Sequence, residues 1–383
     1  MSSRGFNLPL ILAALIVAAG ISLGPSLASA DEIKIGFTPP VTGASAAEGA
    51  WQVKAINLAL KQINEAGGVN GKTIQLIIED NQSSNPGALA ALQKAVEQDQ
   101  VLALVGVVKS TQVMAMSDAI KSYAIPVFIG GTNATLTKQG NPWLFRVRPD
   151  DSIAAAAMVK YIKENTSFTK IGILHDSDAF GTGGANLVEQ NAKDAGLTIS
   201  KREKYTTKEK DFTAQLLSLK NAGTQIMVLY GTNPEDVAVI QRQYRQLGTP
   251  YKYIGSPSSQ MKDTLKLSRE AAEGLLAIAD FVPGASDVSK VYAAAYKAEY
   301  KEDFDATSAW AYDALNILAN AIKQGGEDRE KIRDAILATQ GYKGVLGTYS
   351  FSPNGDGLHE VSVVQITQGT PKLLKVVSVA AGL

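Results

Sequence analysis

The chain has 383 residues with 37 basic and 37 acidic side chains, a balance that argues against a nucleic-acid or anionic-membrane surface. It contains no cysteine, which excludes disulfides, thiolate metal sites, a cysteine nucleophile and a lipidated N-terminal cysteine. With only two histidines, His175 and His359, a Ser-His-Asp hydrolase is poorly supplied.

Residues 1–30 run from a short start carrying Arg4, through the apolar "LPLILAALIVAAGISLG", to "LASA" before "DE". That charged, apolar, small-residue order predicts a secretory signal peptide cleaved between Ala30 and Asp31. A membrane anchor is the competing reading, but the apolar run is interrupted by glycines and ends in an A-x-A site. The mature chain of 353 residues would carry 36 basic and 37 acidic groups and is long enough for two domains. Export without a lipid anchor predicts a periplasmic protein of a Gram-negative cell, with a freely secreted protein as the alternative.

Along the mature chain, short β-rich runs bounded by turn residues recur: "EIKIGF", "TIQLIIED", "LALVGVV", "IPVFIG", "KIGILHD", "QIMVLYG", "KYIG" and "LLAIADFV". Helix-length stretches lie between most of them, with apolar spacing near 3.6, as at Val53, Ile56, Leu60 and Ile63. This alternation predicts an α/β fold with doubly wound parallel sheets covered on both faces. The pattern breaks at "RVRPDDS", where Arg148, Pro149, Asp150 and Asp151 interrupt it before it restarts, and this favours two lobes over one large domain.

Ligands of open α/β sheets bind beyond the carboxyl ends of the strands, where loops lead into helix N-termini with unpaired N–H groups. The run "IPVFIGG" stops in Gly130 and Gly131, which would let a ligand approach the main chain, and Thr132 follows with an N–H and a hydroxyl. "LALVGVV" likewise leads to Ser110 and Thr111 before a helical run. Two successive hydroxyl-bearing turns would converge on one carboxylate; the competing reading is an ordinary strand-to-helix turn capped by Thr132.

Catalytic and nucleotide motifs mostly fail. "GGVNGKT" has only three residues between Gly67 and Gly71 and follows a helix, so it is no P-loop. "FGTGGAN" has Asn186 where a dinucleotide fingerprint needs its third glycine. In "HDSD" adjacent residues at a strand end point apart and cannot form a relay. "SPNGDG" hints at a calcium loop, but the twelfth position from Ser352 is Val363, so a turn is the better reading.

The string "IKIGFTPPVTGASAAEG … INEAGGVNGKTIQLIIEDNQSSNP" resembles the start of the periplasmic binding proteins of branched-chain amino acid ABC transporters, the leucine-binding-protein-like, type I class. "VGVVKSTQVMAMSDAIKSYAIPVFIGGTNATLT", "FRVRPDD", "ILHDSDAFGTG", "KDFTAQLLSLKNAG" and "YSFSPNGDG" continue the resemblance in order over essentially the whole mature chain. It implies two lobes joined by three crossovers and closing like a hinge: 31–149 plus 281–358, and 150–280 plus 359–383. It also implies that a ligand carboxylate is held by Ser110 and Thr111 and by Gly130, Gly131 and Thr132. Aliphatic amino acids, amides, and aromatic or keto acids are all ligands within the family.

The second lobe departs from the family. Amino-acid binders commonly show a tyrosine where this chain has Phe180, which can stack but cannot donate a hydrogen bond. The loop after "KYIG" commonly carries a glutamate for the ligand ammonium; here it reads "SPSSQ", Ser256 to Gln260, without an acid. A buried ammonium without a counter-charge costs several kcal/mol, on the order of 3–5. Either another acid serves, with Glu48, Asp236 and Asp280 as candidates that could equally be solvated surface acids, or the ligand has no ammonium. Tyr230 and Thr232 in "YGTNP", with Ser256 and Ser258, complete the expected site; Trp51 and Tyr230 are equally explained as core.

The sequence therefore predicts a solute-binding protein for a small carboxylate, with an aromatic or 2-keto acid favoured over a branched-chain or aromatic amino acid. It would act as a monomer, without metal or cofactor, and deliver its ligand to ABC permease subunits. A ligand-sensing module for a receptor or regulator, and an exported enzyme on the same fold, are the alternatives.

Overall fold

The computed structural model of the chain describes residues 1–2, 32–284 and 286–378, so the expected signal segment and its cleavage point lie outside the described residues. Five strands, β1 (Glu32–Phe37), β2 (Thr73–Ile78), β3 (Ala103–Val105), β4 (Val127–Ile129) and β5 (Leu144–Arg146), form one sheet in the order β2-β1-β3-β4-β5. Every pair in it is parallel. The second sheet holds β6 (Lys170–Asp176), β7 (Thr198–Tyr205), β8 (Ile226–Tyr230), β9 (Lys252–Gly255) and β10 (Leu276–Ala279). A small pair, β11 (Tyr342–Lys343) and β12 (Thr348–Tyr349), follows, and then β13 (Glu360–Thr367) and β14 (Thr370–Ser378) complete the second sheet in the order β14-β13-β10-β9-β8-β6-β7.

Both sheets bury two faces because their side chains alternate between separate cores. Ala103, Val105 and Phe128 point into one core of the first sheet, while Leu104, Val127 and Ile129 point into the other. In the second sheet Ile173 and Val228 share one core, and Leu174, Met227 and Leu229 the opposite one. The covering helices are α1 (Ala46–Glu65), α2 (Asn85–Glu97) and α3 (Ser110–Tyr123) on the first sheet, then α4 (Asp151–Asn165), α5 (Ala179–Asp194), α6 (Thr213–Asn221), α7 (Pro234–Gln246) and α8 (Lys262–Ser268) beside the second. Returning to the first sheet are α9 (Asp287–Tyr300), α10 (Trp310–Gly325) and α11 (Arg329–Leu337), which share its core.

The chain thus passes between the sheets three times: after β5, after β10 and after β12. Antiparallel strand pairing among the described residues is confined to the small β11–β12 pair and the last hairpin. There β13 runs antiparallel to both β10 and β14, across a two-residue turn whose Gln368 and Gly369 have φ of 53° and 68°. Positive φ at both central positions gives the turn twist that suits a tight hairpin.

The first and third crossings are tied together at Arg146, which has no exposed surface. Its Nε donates to Asp356 Oδ1 at 2.7 Å, and its other nitrogens donate to the Asn133 carbonyl and the Thr137 hydroxyl. The backbone joins in, with Arg146 N donating to Gly355 O at 2.8 Å. Gly355 has φ +89°, and a Cβ there would lie 2.2 Å from the Leu144 carbonyl oxygen, so this turn requires glycine. The "SPNGDG" turn is therefore a clamp on β5, with Asp356 spent on Arg146. No helix among the described residues is long and apolar enough to cross a membrane.

Candidate functional site

The carboxyl ends of both sheets face one cleft, and residues from both sides line it. Six of the residues singled out in the sequence meet there: Glu48 of α1, Ser110 of α3, Thr132 after β4, Phe180 of α5, Thr232 after β8 and Ser258 after β9. Val108, Pro257 and Met261 supply apolar wall, and Lys109 and Arg148 complete the lining. The cavity is small, about 40 Å³.

The other expected residues lie behind the wall. Gly130 is a correction: a Cβ there would meet the Trp310 ring at 2.8 Å, so this glycine accommodates a tryptophan, and its carbonyl accepts from Arg148 Nη1 at 3.1 Å. Gly131 is buried against Leu136 and Val113, and Thr111 is half-buried on the first turn of α3 outside the lining. Tyr230 is fully buried, its ring 5.4 Å from that of Phe180, and so supports the wall from behind. Ser256 is also fully buried, 2.9 Å from the Ser258 hydroxyl, and both serines donate to the Gly231 carbonyl. Trp51 lies outside the lining, with Lys262 Nζ 4.3 Å from its ring centre.

Asp280 does not face the cleft as a free acid. It receives Arg148 Nε at 2.6 Å and Nη2 at 3.4 Å, with both side chains almost fully buried. Burial alone would lower the Arg148 pKa, but the Asp280 carboxylate outweighs it and holds the guanidinium above its ordinary value. Asp236 is likewise occupied, accepting from Lys208 N at 2.8 Å.

Lys109 is the residue that sequence reasoning missed most plainly. It is the N-cap of α3, and its Nζ lies 2.9 Å from Glu48 Oε2, the two side chains 15% and 6% exposed. A lysine at a helix N-terminus opposes the helix dipole. The adverse charge is offset by Glu48, and the result is a positive helix end with an ammonium beside it. Ser110 Oγ accepts from Asn133 N at 3.2 Å, which leaves its own proton free to donate. Hydroxyls of Ser110 and Thr132, the first N–H groups of α3, Lys109 and Arg148 are donors converging on one small space, the chemistry of a carboxylate site.

The two sides are joined across this cleft. Lys109 Nζ donates to Thr232 O at 3.4 Å, and Asn133 Nδ2 donates to Ala179 O at 2.6 Å. Farther out, Lys262 N donates to Asp305 Oδ2 at 2.9 Å. The structure is the closed arrangement of two lobes.

The profile described as periplasmic binding protein matches residues 32–371. The chain belongs to the periplasmic binding protein family. Its two lobes and three crossings are the type I, leucine-binding-protein-like form. This binding protein is similar to the leucine-, isoleucine-, valine-, threonine-, and alanine-binding protein of Pseudomonas aeruginosa, with 30% identity covering 86% of this chain and 88% of that one. Among solved structures it is similar to a leucine binding protein from Thermotoga maritima, with TM-score 0.85, 27% identity, and 90% and 99% of the two chains covered. It is also similar to a branched-chain amino acid transporter substrate binding protein from Streptococcus pneumoniae in complex with isoleucine, with TM-score 0.85, 26% identity, and 91% and 100% covered.

Proposed function

We propose that this protein is the exported, monomeric solute-binding component of an ABC importer, captures a small carboxylate between its lobes and delivers it to permease subunits. The lobes on this reading are 31–149 plus 281–358, and 150–280 plus 359–383, and the site works by binding and closure, without catalysis. The single observation that carries the ligand class is the convergence of Lys109, Arg148, Ser110 and Thr132 at the N-terminus of α3.

Two readings of the rest of the ligand have support. The acid-free loop from Ser256 to Gln260, with Glu48 held by Lys109 and Asp280 by Arg148, supports an aromatic or 2-keto acid. The names of the relatives support a branched-chain amino acid. Calorimetry on protein stripped of ligand, with branched-chain and aromatic amino acids against their 2-keto acids and benzoate, distinguishes them. Uptake of whichever acid binds should fall in cells lacking the protein; unchanged uptake would make it a sensor.

A further inference from the structure

Away from the cleft lining, the two lobes also meet where the start of α8 reaches the turn between α9 and α10. Lys262 opens α8, directly after Met261 of the lining. Its backbone N donates to Asp305 Oδ2 at 2.9 Å, and its Nζ donates to the Asp303 carbonyl. The same Nζ lies 4.3 Å from the centre of the Trp51 ring, on α1. Trp51, Lys262, Asp303 and Asp305 all lie outside the cleft lining.

The side that receives Lys262 is fixed by its own lobe. Asp305 is 4% exposed, and its Oδ1 accepts from Thr307 N at 2.9 Å and from the Thr307 hydroxyl, so the carboxylate is held without Lys262. Phe304, between the two aspartates, packs on Tyr292 and Phe281, with ring centres 4.8 and 6.1 Å away. Phe281 follows β10 at the second crossing, so the receiving turn and a crossing share one aromatic stack. Trp51 packs on the core of the first sheet and carries a second ammonium, Lys54 Nζ at 5.1 Å, which is paired with Glu302. Burial and the Asp305 carboxylate raise the pKa of Asp263, the next residue in α8, against the pull of the Trp51 indole N–H, so Asp263 belongs to the same junction. An indole face attracts a cation through its quadrupole, more strongly away from water.

We propose that Trp51 and the turn from Asp303 to Asp305 are a latch for Lys262, which holds the lobes shut from outside the cleft and sets the affinity for every ligand by one common factor. The latch bonds join the two lobes and exist only when these meet, so they favour the closed form over the open one. Lys109 differs, because it lines the cleft as well as bridging it, and its contribution depends on what the cleft holds. Apparent affinity scales with the fraction of protein in the binding-competent form, so weakening a contact that no ligand touches costs each ligand the same factor. This rests on closure of the lobes and not on the carboxylate reading of the cleft.

The test uses the mature protein stripped of ligand. Lys262→Met keeps the apolar stem and removes the ammonium, and Trp51→Leu removes the aromatic face. Each is expected to enlarge the radius of gyration in small-angle scattering without ligand. In calorimetry each should weaken whichever of L-leucine, 4-methyl-2-oxopentanoate and benzoate bind by the same factor, about 3–30-fold. The double variant should lose no more than the larger single loss, because both changes remove one contact. Lys54→Met is the control: it removes the other ammonium on the same ring, held by Glu302 within one lobe, and should change neither radius nor affinity. Unchanged radius and affinities in Lys262→Met would overturn the latch. So would a loss confined to one ligand, which would make these residues ligand contacts, or an equal loss in Lys54→Met, which would make the ring a packing element of its own lobe. If none of the three acids binds, the carboxylate reading fails and the radius alone decides the latch.

Discussion

The Lys109 ammonium lies 2.9 Å from the Glu48 carboxylate while also donating to the Thr232 carbonyl 3.4 Å away on the opposite wall of the cleft. One side chain thus links a helix N-terminus, a buried acid and the second lobe. Lys109→Met alone would leave Glu48 buried without its cation, a change costing about 3–5 kcal/mol whatever the ligand does. The informative variant is Lys109→Met with Glu48→Gln, which removes the pair together. It should keep a near-normal melting temperature and bind acids about 10–100-fold more weakly in calorimetry.

Thr132→Ala and Ser110→Ala each remove one hydroxyl-bearing side chain from the cleft lining. Each should weaken a carboxylate ligand by about 1–3 kcal/mol, the cost of a lost charge-assisted hydrogen bond. Thr111→Ala, half-buried but outside the lining, should change affinity little and serves as the control. Equal effects at all three positions would count against the convergence of donors.

The stability of the ligand-free protein should fall as pH rises. Among the described residues, burial raises five carboxyl groups above their ordinary pKa: Asp151 to about 8, Asp176 and Asp313 to about 6, and Asp236 and Asp263 in the same direction. A carboxyl whose folded pKa is raised contributes stability that is complete below its unfolded value, near 4, and is lost as pH climbs through the folded value. The window is therefore about pH 4–6 for Asp176 and Asp313, and extends to about pH 8 for Asp151. Asp151→Asn should melt a few degrees above the wild type at pH 8.5, with a smaller difference at pH 5, as read in thermal scans without ligand.

Asp356→Ala isolates the clamp at the crossings. Arg146 would be left fully buried and without its carboxylate, and breaking such a pair costs about 3–5 kcal/mol. Urea unfolding should show this loss. Ligand affinity of the folded fraction should change little, because neither residue lines the cleft.

The closed form is held in part by Asn133, whose amide donates to the Ala179 carbonyl on the facing helix at 2.6 Å. Asn133→Ala should favour the open form, giving a larger radius of gyration in small-angle scattering without ligand and a faster ligand off-rate. An unchanged radius would mean that other cross-cleft bonds suffice.

Much of this was legible in the sequence because it depends on local signals. "EIKIGF", "KIGILHD" and "KYIG" are strands β1, β6 and β9 to the residue, since short runs carrying isoleucine and aromatic residues and bounded by turns favour strands. Strand β7, "TISKREKY", escaped notice because it lies at the sheet edge, where charged side chains replace the apolar run. Ser110 and Thr132 could be expected from strand-to-helix turns, whereas Gly130 was misread because its reason is Trp310, far away in sequence. Lys109 and Arg148 were visible only as residues next to motifs or breaks. Their roles depend on partners such as Glu48 and Asp280 that only the folded chain brings near. Lysine at the cap of a helix, an unfavourable place for a cation, was the one local hint.

The most direct test of the carboxylate cleft is a thermal-shift series on protein stripped of ligand, comparing acids with their uncharged amides. Leucine would be set against leucinamide, 4-methyl-2-oxopentanoate against its amide, and benzoate against benzamide. A ligand at about a thousand times its dissociation constant stabilises by about 4 kcal/mol, a shift of several degrees. The account predicts that at least one acid raises the melting temperature and that its amide does not. An amide that stabilises as well as its acid, or a series in which no acid stabilises at all, would contradict it.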